Sequence, residues 1–353
     1  MEQEEEKEKP WLQQPVKKID QEQEPSILEW IFENDIVSEK GDKLDFSDRL
    51  FLLDILTDWS QEIVIKKAAQ IGGSVSFNLK ALYAVLKLKW NIIYTFPTDS
   101  DVNEFVTTKT NKILQMNPQV FKGIPTDNVE RKGMGDRFIF FKGTVSKTAG
   151  IMTTSDLNIH DEASRSDQTV LETMKSRYKA SNYKGRWLFS NPTTEKDAID
   201  IAWKKSDQKE WTIECHHCAF KQILTFPDSI NMEKREYQCK SCAGLLDNDD
   251  RRNGEWVPQK PGREISGYHI SLLMAPWVSA DDIIKDSEGD AEYFHNFILG
   301  EPYSPGDVKV SRSTILDNWT PGDLVTGNYF LGVDVGNIKH FALGSEKGLI
   351  KVG

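Results

Sequence analysis

The segment Lys67–Ser74, with the sequence KAAQIGGS, has the residue types of a phosphate-binding loop. Its small side chains and its glycine pair, Gly72 and Gly73, allow main-chain N–H groups to curl around an anion at the start of a helix. Ser74 stands where such a loop places the hydroxyl that binds magnesium. The usual pattern has lysine at position 73; here Lys67, at the start of the loop, could fold back over phosphates instead. The alternative is an ordinary glycine-containing turn between a strand and a helix.

Two adjacent carboxylates, Asp161 and Glu162, follow the run Leu157–His160. In a phosphoryl-transfer site the first carboxylate would hold Mg²⁺ and the second would orient or deprotonate the attacking water. Asp-Glu pairs are also common on solvated surfaces. The pair lies 87 residues after Ser74, and both motifs follow a predicted strand, so each supports the interpretation of the other.

A third polar group ends the run Trp187–Phe189, with the sequence SNPT. Its side chains belong to Ser190, Asn191 and Thr193. At such a place they could sense the terminal phosphate of a nucleotide and pass its presence to other parts of the protein. A polar β-turn is equally compatible with this segment alone.

The four cysteines form two CxxC pairs, Cys215 with Cys218 and Cys239 with Cys242, with twenty residues between the pairs. This spacing is typical of two knuckles that close a tetrahedral zinc site. Four thiolates leave no open coordination position, so the metal would fold a small ribbon and take no part in catalysis. Disulfides are disfavoured because nothing in the sequence indicates export.

The elements that must position these motifs follow from the hydrophobic periodicity. Short β-type runs alternate with helical patterns, which points to an α/β fold with a mostly parallel sheet, and ligands on such sheets bind outside the carboxyl ends of the strands. The predicted strands are Glu62–Lys66, Ile92–Phe96, Phe138–Phe141, Leu157–His160 and Trp187–Ser190. The predicted helices are Ser74–Lys87, Asp99–Leu114 and Gln168–Ala180.

Length, composition and charge set the class of protein. With 353 residues and 38% hydrophobic content, we expect a globular protein of two or three domains. Residues 1–40 hold twelve Asp/Glu and five Lys/Arg, so −7 of the net charge of −11 lies there and the rest of the chain does not exclude a DNA-binding face. No run approaches the roughly 18 apolar residues that span a membrane, and the acidic N-terminus is unlike a signal peptide. We expect a soluble, intracellular protein with no membrane partner.

With these motifs in this order, the chain resembles the large subunit of tailed double-stranded-DNA phage terminases, in the lambda-type family. The resemblance covers most of residues 45–353. That family has a deviant phosphate loop with its lysine at the beginning, as at Lys67, and an Asp-Glu pair before a polar turn, as in HDEASRS. It also has a coupling segment like SNPT and two CxxC pairs. The stretches GEW (254–256), SGYHISLLMAPW (266–277) and LGEPY (299–303) are similar to the family as well.

The resemblance implies an ATPase that uses ATP and Mg²⁺, with Zn²⁺ in the ribbon. Lys67 would contact the β- and γ-phosphates, and the main chain of the loop would come from Gln70, Ile71, Gly72 and Gly73. Ser74 and Asp161 would bind Mg²⁺, with Glu162 as the catalytic carboxylate. Coupling of hydrolysis to movement would fall to Ser190, Asn191 and Thr193. A trans-acting arginine at a subunit boundary could be Arg165 or Arg177, although each could equally be a surface or helix-pairing arginine.

The same resemblance implies a domain order and a P-loop NTPase fold. The expected parts are a flexible acidic tail (1–26), a P-loop ATPase core with N-terminal helices (27–206), a zinc ribbon insertion (207–260), an ATPase lid or linker (261–323) and the incomplete start of an RNase H-like nuclease domain (324–353). The segment LGVDV (331–335) looks like the first strand of that nuclease. Asp334 would be one of several metal-binding carboxylates, but 19 residues follow it. We therefore expect a truncated nuclease domain without nuclease activity by itself.

The function implied is that of a motor subunit that hydrolyses Mg-ATP and moves double-stranded DNA into an empty capsid. Its partners would be double-stranded DNA, a portal protein, a small terminase subunit and further copies of the chain in a ring. It would act in the host cytoplasm, transiently docked on the viral procapsid. Two alternatives stay open: a helicase-like DNA-dependent ATPase, which shares the motifs at strand ends, and a scaffold that binds a nucleotide without turnover, since Gly73 breaks the usual loop pattern.

Overall fold

The structure is a computed structural model that describes residues 26–125, 128–145, 153–304, 329–334, 340–345 and 348–352. It divides into two compact units, Met1–Tyr303 and Ser304–Gly353. The tail predicted at residues 1–26 lies outside the described residues except for Ser26, whose hydroxyl caps the first helix. Within the described residues, no helix has both the length and the apolar content that crossing a membrane requires.

One large sheet organises the first unit. The strands of this unit are β1 (Glu62–Lys67), β2 (Ile92–Phe96), β3 (Arg131–Met134), β4 (Arg137–Gly143), β5 (Leu157–Asp161), β6 (Gly185–Ser190), β7 (Lys209–Glu214), β8 (Lys221–Ile223), β9 (Ile230–Asn231), β10 (Glu236–Tyr237), β11 (Gly254–Pro258) and β12 (Ser266–Ile270). In the large sheet they follow the order β11-β7-β12-β1-β6-β5-β2-β4-β3, with β8 paired to β7 and with β9 and β10 forming a separate hairpin.

The centre of the sheet is parallel, as the sequence predicts. Each neighbouring pair from β7 to β4 in that order is parallel, and the pairs β11–β7, β7–β8 and β3–β4 are antiparallel. Strand β6 lies between β1 and β5, with Ser190 opposite Lys66 and Phe189 opposite Asp161. The carboxyl ends of β1, β5 and β6 therefore meet at one edge, and the three polar motifs follow these three ends.

Helices pack around the sheet. They are α1 (Ile27–Glu33), α2 (Phe51–Thr57), α3 (Gly73–Leu86), α4 (Asp99–Phe105), α5 (Asn111–Met116), α6 (Pro118–Phe121), α7 (Gln168–Met174), α8 (Ala198–Lys205), α9 (Asn248–Arg252), α10 (Ala280–Ser287) and α11 (Ala291–Tyr293). The helix predicted at Asp99–Leu114 is interrupted by a π-helical turn, Val106–Thr110, that joins α4 to α5. The helix predicted at Gln168–Ala180 ends as α7 and continues as a 3₁₀ turn, Lys175–Tyr178.

Five of the ten strands in the large sheet, β3, β7, β8, β11 and β12, are not among the strands predicted from the sequence. β3 forms a hairpin with β4, and β12 lies directly beside β1. All five residues of β12 are buried, so it lacks the polar–apolar alternation that marks a half-exposed strand. β12 belongs to the range 261–323, which the sequence analysis assigned to a lid or linker, whereas the structure places this strand in the core sheet.

The cysteine-containing segment is connected to strands at one edge of the large sheet. Strands β7 and β11, near the two ends of the range 207–260, pair with each other, and β7 also pairs with β12. The cysteine pairs lie in the chain between these two strands, beside β8, β9 and β10. The segment predicted as an insertion is thus rooted in the same sheet as the phosphate loop.

A buried lysine fixes α3, the helix that follows the phosphate loop. Lys80 is 1% exposed, donates hydrogen bonds to the carbonyl oxygens of Ile55 (2.7 Å) and Asp58, and holds its ammonium group 4.3 Å from the ring centre of Trp187. Burial lowers the pKa of Lys80 to about 7, and the nearby Asp58 carboxylate opposes that shift. This lysine joins α3 to the end of α2 and to β6.

The second unit contributes three antiparallel strands. They are β13 (Tyr329–Asp334), β14 (His340–Ser345) and β15 (Gly348–Val352), in the order β13-β14-β15. Asp334 is the last residue of β13 and pairs with His340. Val335, the end of the LGVDV segment, lies outside the described residues.

Candidate nucleotide-binding site

The phosphate loop connects the end of β1 to the start of α3. Gln70 and Gly72 have left-handed backbone conformations, with φ of +56° and +83°. At Gly72 a Cβ atom would also lie 3.1 Å from Nε of Arg49, so conformation and space both favour glycine. The first two N–H groups after β1 already donate hydrogen bonds. Ala68 donates to the carbonyl of Ile270 (2.7 Å), and Ala69 donates to the carbonyl of Phe297 (2.8 Å). The N–H groups available to an anion therefore begin at Gln70.

Lys67 lies at the meeting point of the three strand ends. Its ammonium group is 3.3 Å from Oε1 of Glu162 and 3.4 Å from Oδ1 of Asn191. The side chain of Asn191 also donates to the carbonyl oxygen of Lys67 (2.9 Å), so the asparagine contacts both ends of this lysine. The Lys67 side chain is only 10% exposed, which strengthens these charged contacts relative to a surface pair.

Asp161 ends β5 in a buried position. Its Oδ2 accepts a hydrogen bond from the hydroxyl of Tyr94 (3.1 Å), and its Oδ1 accepts one from the N–H of Glu162 (3.0 Å). Burial raises the pKa of Asp161 to about 6; the positive charge of Lys67 opposes this shift, and the neighbouring Glu162 carboxylate adds to it. A bound cation would stabilise the charged form of this carboxylate, as expected for a metal ligand.

Glu162 has a left-handed backbone conformation, with φ of +51°. Such a conformation is unfavourable for a residue with a side chain, and it recurs where a structure holds a functional group in a particular direction. Here Glu162 immediately precedes a tight turn, Ala163–Arg165. Within this turn the N–H of Ser164 donates a hydrogen bond to Oγ of Ser190 (3.2 Å). The turn after β5 is thereby tied to the end of β6.

The coupling residues predicted after β6 connect the site to more distant segments. The fully buried Ser190 donates its hydroxyl hydrogen to the carbonyl of Asn191 (2.7 Å). Thr193 donates its hydroxyl to Asp197, the residue that caps α8, at 2.8 Å. The carbonyl of Thr193 accepts from the N–H of Tyr303 (2.8 Å).

A segment that the sequence analysis did not place near the site, residues 294–303, packs against the loop and against Asn191. The carbonyl of Phe297 accepts from Ala69, as described above, and the carbonyl of Asn296 accepts from the side chain of Asn191 (3.5 Å). Gly300 (φ +67°) leaves no room for a side chain, because a Cβ atom would lie 2.8 Å from the carbonyl oxygen of Ile270 and 2.9 Å from the nitrogen of Ala68. The only sequence signal was the resemblance of LGEPY to a family motif.

Two cavities adjoin at Ser74. The first, called the loop cavity, is lined by Lys67 and by the loop from Gln70 to Val75. The second, called the acidic cavity, is lined by Asp161, Glu162 and Arg165. Ser74 lines both, and the loop and acidic pair predicted from the sequence therefore face adjoining spaces.

The two predicted arginines differ in position. Arg165 lies on the wall of the acidic cavity, three residues after Glu162. Arg177 lies in the 3₁₀ turn after α7, where its carbonyl accepts from the N–H of Ser155, just before β5 begins, and its guanidinium donates to Ser176. The structure brings Arg165, but not Arg177, to the carboxyl end of β5.

The four cysteines come together at the ends of two turns. Their sulfur atoms all lie within 4.8 Å of one another; Cys215 and Cys242 are 3.9 Å apart, and Cys218 and Cys239 are 3.7 Å apart. Burial raises the pKa of the Cys239 thiol, but N–H groups directed at its sulfur and the neighbouring thiols more than offset this, so its pKa falls to about 6, whereas the pKa values of Cys215 and Cys218 are raised. One of these N–H groups belongs to Ser241, 3.4 Å from the sulfur. The structure thus brings together the four thiols that the sequence predicts to be neighbours.

Together these features define an α/β protein with a mostly parallel sheet, in which a glycine-containing loop joins a central strand to a helix and a carboxylate pair lies two strands away. The family model described as phage terminase large subunit gpA, ATPase domain, matches residues 53–256. The chain belongs to this family. No curated protein matches the chain in sequence.

Two solved structures with TM-scores above 0.5 share the fold. The Thermus phage P74-26 large terminase ATPase domain has a TM-score of 0.51 at 11% identity, covering 79% of this chain and 99% of that chain. The HK97 bacteriophage large terminase has a TM-score of 0.51 at 13% identity, covering 91% of this chain and 64% of that one. A large terminase from a thermophilic bacteriophage has a TM-score of 0.46 at 10% identity, covering 87% of this chain and 64% of its own. The present chain thus spans about 64% of the length of these two large terminase chains.

Proposed function

We propose that the chain is the ATP-hydrolysing subunit of a motor that packages double-stranded DNA into a viral procapsid. The observation that carries the proposal is the contact of Lys67 with both Glu162 and Asn191, at the ends of three adjacent strands in a chain of the terminase ATPase family. This contact unites a phosphate-binding cation, a carboxylate that can activate water and a polar group that can report on the terminal phosphate.

In this proposal the loop and Lys67 bind the phosphates of ATP. The N–H groups from Gln70 to Gly73 and the start of α3 offer hydrogen bonds and the favourable end of the helix dipole. Lys67 neutralises charge on the β- and γ-phosphates, where positive groups stabilise the transition state of phosphoryl transfer. The left-handed residues Gln70 and Gly72 curve the main chain so that its donors can converge.

The residues present fit a magnesium ion. Ser74 and Asp161 line the same cavity and offer a hydroxyl and a carboxylate oxygen, the donor types that Mg²⁺ prefers. When bound, the ion supplies neutralisation of the phosphate charge and an orienting contact for the nucleotide. Tyr94 holds the Asp161 carboxylate in place through its hydroxyl.

Glu162 serves as the general base for the attacking water. Its carboxylate lines the acidic cavity beside Arg165, and its backbone turn is fixed by the bond from Ser164 to Ser190. Asn191 would respond to the terminal phosphate because it contacts Lys67. Movement of Asn191 would pass through Ser190 and Thr193 to α8 and to the segment 294–303. A trans-acting arginine from a neighbouring subunit would be Arg165 or, from farther away, Arg177.

The cysteine cluster fits a structural zinc ion. Zinc–sulfur bonds of about 2.3 Å in a tetrahedron separate the sulfurs by roughly 3.8 Å, close to the 3.7 and 3.9 Å found here. Cys215, Cys218, Cys239 and Cys242 would complete the coordination of the ion and stabilise the ribbon at the edge of the sheet.

The remaining parts of the proposal concern the assembly. DNA would be gripped mainly through its phosphates, as a motor moving along varied sequences requires. The partners would be a portal protein, a small terminase subunit and further copies in a ring, with the complex in the host cytoplasm and docked on the procapsid. Asp334, at the end of β13, would belong to the metal site of a nuclease domain.

A phosphate-release assay tests the proposed function. The chain should hydrolyse ATP in the presence of Mg²⁺, and linear double-stranded DNA should stimulate the rate. Strand separation that depends on ATP would instead favour a helicase-like ATPase. Nucleotide binding with no phosphate release, with or without DNA and a portal, would favour a non-hydrolysing scaffold and overturn the proposal.

A further inference from the structure

The start of α3 lacks the lysine that phosphate loops usually carry there. Position 73 is Gly73, the first residue of the helix, and the next residue is Ser74. Lys67 comes from the strand side of the loop, where it already contacts Glu162 and Asn191. The loop itself would therefore offer a triphosphate one lysine on one side and only N–H groups and a hydroxyl on the other, and two lysines from outside the loop, Lys40 and Lys109, line the loop cavity.

Lys109 lies at the boundary that a bound triphosphate would cross. It lines the loop cavity together with Lys67 and the residues from Gln70 to Val75. It also lines the acidic cavity together with Asp161 and Glu162. The two cavities share only Ser74 and Lys109 among their described lining residues, so this lysine stands beside the residue proposed to bind magnesium.

The π-helical turn Val106–Thr110 fixes Lys109 in this position. The next residue, Thr110, is fully buried and accepts a hydrogen bond from the side chain of Asn78 on α3 (3.1 Å). Asn78 is fully buried as well, and it lies five residues after Gly73. The turn is thus held against the helix that follows the phosphate loop. A π turn holds one more residue than an α turn, and such turns recur at functional sites.

The charges around Lys109 suit a cation that changes partner. Its ammonium group is 2.6 Å from Oε1 of Glu39, whose side chain is 11% exposed, while the Lys109 side chain is 35% exposed. Glu39 also lines the loop cavity. The partly exposed ammonium group can turn from Glu39 to a phosphate, but the switch leaves the less exposed Glu39 carboxylate without its partner, so Glu39 opposes nucleotide binding.

We propose that Lys109 is a second phosphate-binding residue, which supplies from the π turn the positive charge that Gly73 does not, and that Glu39 holds its ammonium group until a nucleotide arrives. The inference rests on the proposed nucleotide-binding function of the same site. It adds a ligand-binding lysine outside the loop motif and a carboxylate that competes with the phosphates for it.

Nucleotide affinity tests this proposal. ATP, ADP and AMP are titrated with Mg²⁺ into wild type, Lys109→Gln, Lys109→Arg and Glu39→Gln, with Lys112→Ala as a control that removes an exposed lysine three residues away. Lys109→Gln should weaken ATP binding about 10- to 100-fold, as expected for the loss of a charged hydrogen bond. The loss should be smaller for AMP, Lys109→Arg should recover part of it, and Glu39→Gln should tighten ATP binding.

The outcomes separate this inference from the proposed function. Equal affinity of wild type and Lys109→Gln for ATP would overturn the inference while leaving the function intact. The same loss for AMP as for ATP would also overturn it, because a general structural role would affect every nucleotide. If wild type itself bound no nucleotide, that result would refute the proposed function, and with it the inference that rests on it. Thermal unfolding of each variant checks folding, and Lys109→Arg keeps the charge should Lys109→Gln prove unstable.

Discussion

The ammonium group of Lys67 lies 3.3 Å from the Glu162 carboxylate, although 95 residues separate the two in the chain. In the proposed mechanism Lys67 binds phosphate and Glu162 accepts a proton from water. Phosphate binding requires the positive charge of Lys67, and proton acceptance requires the negative charge of Glu162. The contact between the two residues partly neutralises both charges. ATP binding would therefore draw Lys67 toward the phosphates and release Glu162 to act as a base, which links nucleotide binding to activation of the site.

Glu162→Gln should abolish ATP hydrolysis while sparing ATP binding. The amide keeps an oxygen that can accept from Lys67, but it cannot take a proton, and loss of a general base lowers rates by about 10²- to 10⁴-fold. Phosphate release and equilibrium binding of ATP measure the two effects. Glu172→Gln, on the exposed face of α7, is the matched control. Unchanged turnover in Glu162→Gln would refute the assigned role.

Lys67→Ala should weaken both ATP binding and hydrolysis. Binding should fall by about 10- to 100-fold, because a charged hydrogen bond to phosphate is lost, and turnover at saturating ATP should fall as well because the transition state loses a cation. The same two assays apply, with Lys112→Ala as a control for loss of a surface lysine. Full activity in Lys67→Ala would mean that a different cation serves the phosphates.

Gly300→Ala should disturb the phosphate loop from outside its motif. The added methyl group would press on the carbonyl of Ile270 and the nitrogen of Ala68. Gly262→Ala is a matched control, since Gly262 also has positive φ (+88°) but no atom within 4 Å of its Cβ position. We expect Gly300→Ala to lose more unfolding free energy and more ATP affinity than the control. Equal losses in both would show that backbone conformation alone matters.

One zinc ion per chain should be measurable by elemental analysis. Cys239→Ser should remove it and lower the unfolding temperature, because a thiolate ligand is lost from a four-sulfur site. Ser241→Ala is the control, since its main-chain N–H still points at the Cys239 sulfur. Wild-type protein in which the cysteine segment is folded but contains no metal would contradict the zinc assignment.

The stability of the first unit should depend on the protonation of Lys80. Burial lowers its pKa to about 7 in the folded state, from the usual lysine value of 10.5. The unfolded chain then binds more protons between these two values, so the contribution of Lys80 to stability rises with pH from about 7 to 10 and is lost as pH falls. Denaturant unfolding of wild type and Lys80→Met at pH 7 and pH 9 measures it.

In that experiment wild type should gain stability relative to Lys80→Met as the pH rises. The gain is at most about 1.4 kcal/mol per pH unit, the value of one full proton. A difference that does not change with pH would show that the carbonyl groups of Ile55 and Asp58 keep the ammonium charged throughout this range.

The sequence was sufficient for the features that depend on local pattern. The strand before the loop Lys67–Ser74, the helix after it, the strand that ends in Asp161 and the parallel sheet all follow from periodicity and from residue types at strand ends, and the structure confirms these elements. The spacing of the four cysteines also predicted that they lie together, as the structure shows. The roles of individual residues at the site stay predictions.

Features that depend on distant contacts could not be predicted. The π turn at Val106–Thr110 lies within an unbroken helical pattern in the sequence. The contact that distinguishes it is a buried hydrogen bond that Thr110 accepts from the side chain of Asn78, 32 residues away in the chain. β12 is buried on both faces and lacks alternation. The segment 294–303 contacts the loop through the main-chain carbonyl of Phe297, a group that every residue possesses.

The position of β12 and of residues 294–303 determines where the chain can be cut to obtain an autonomous fragment. A piece ending at residue 256, where the family match stops, would leave one edge of β1 without its hydrogen-bonding neighbour and would expose a row of main-chain groups beside the phosphate loop. It would also lose the carbonyl groups of Ile270 and Phe297 that accept from the first N–H groups of the loop. The smallest fragment that retains the complete surroundings of the loop therefore ends after Tyr303.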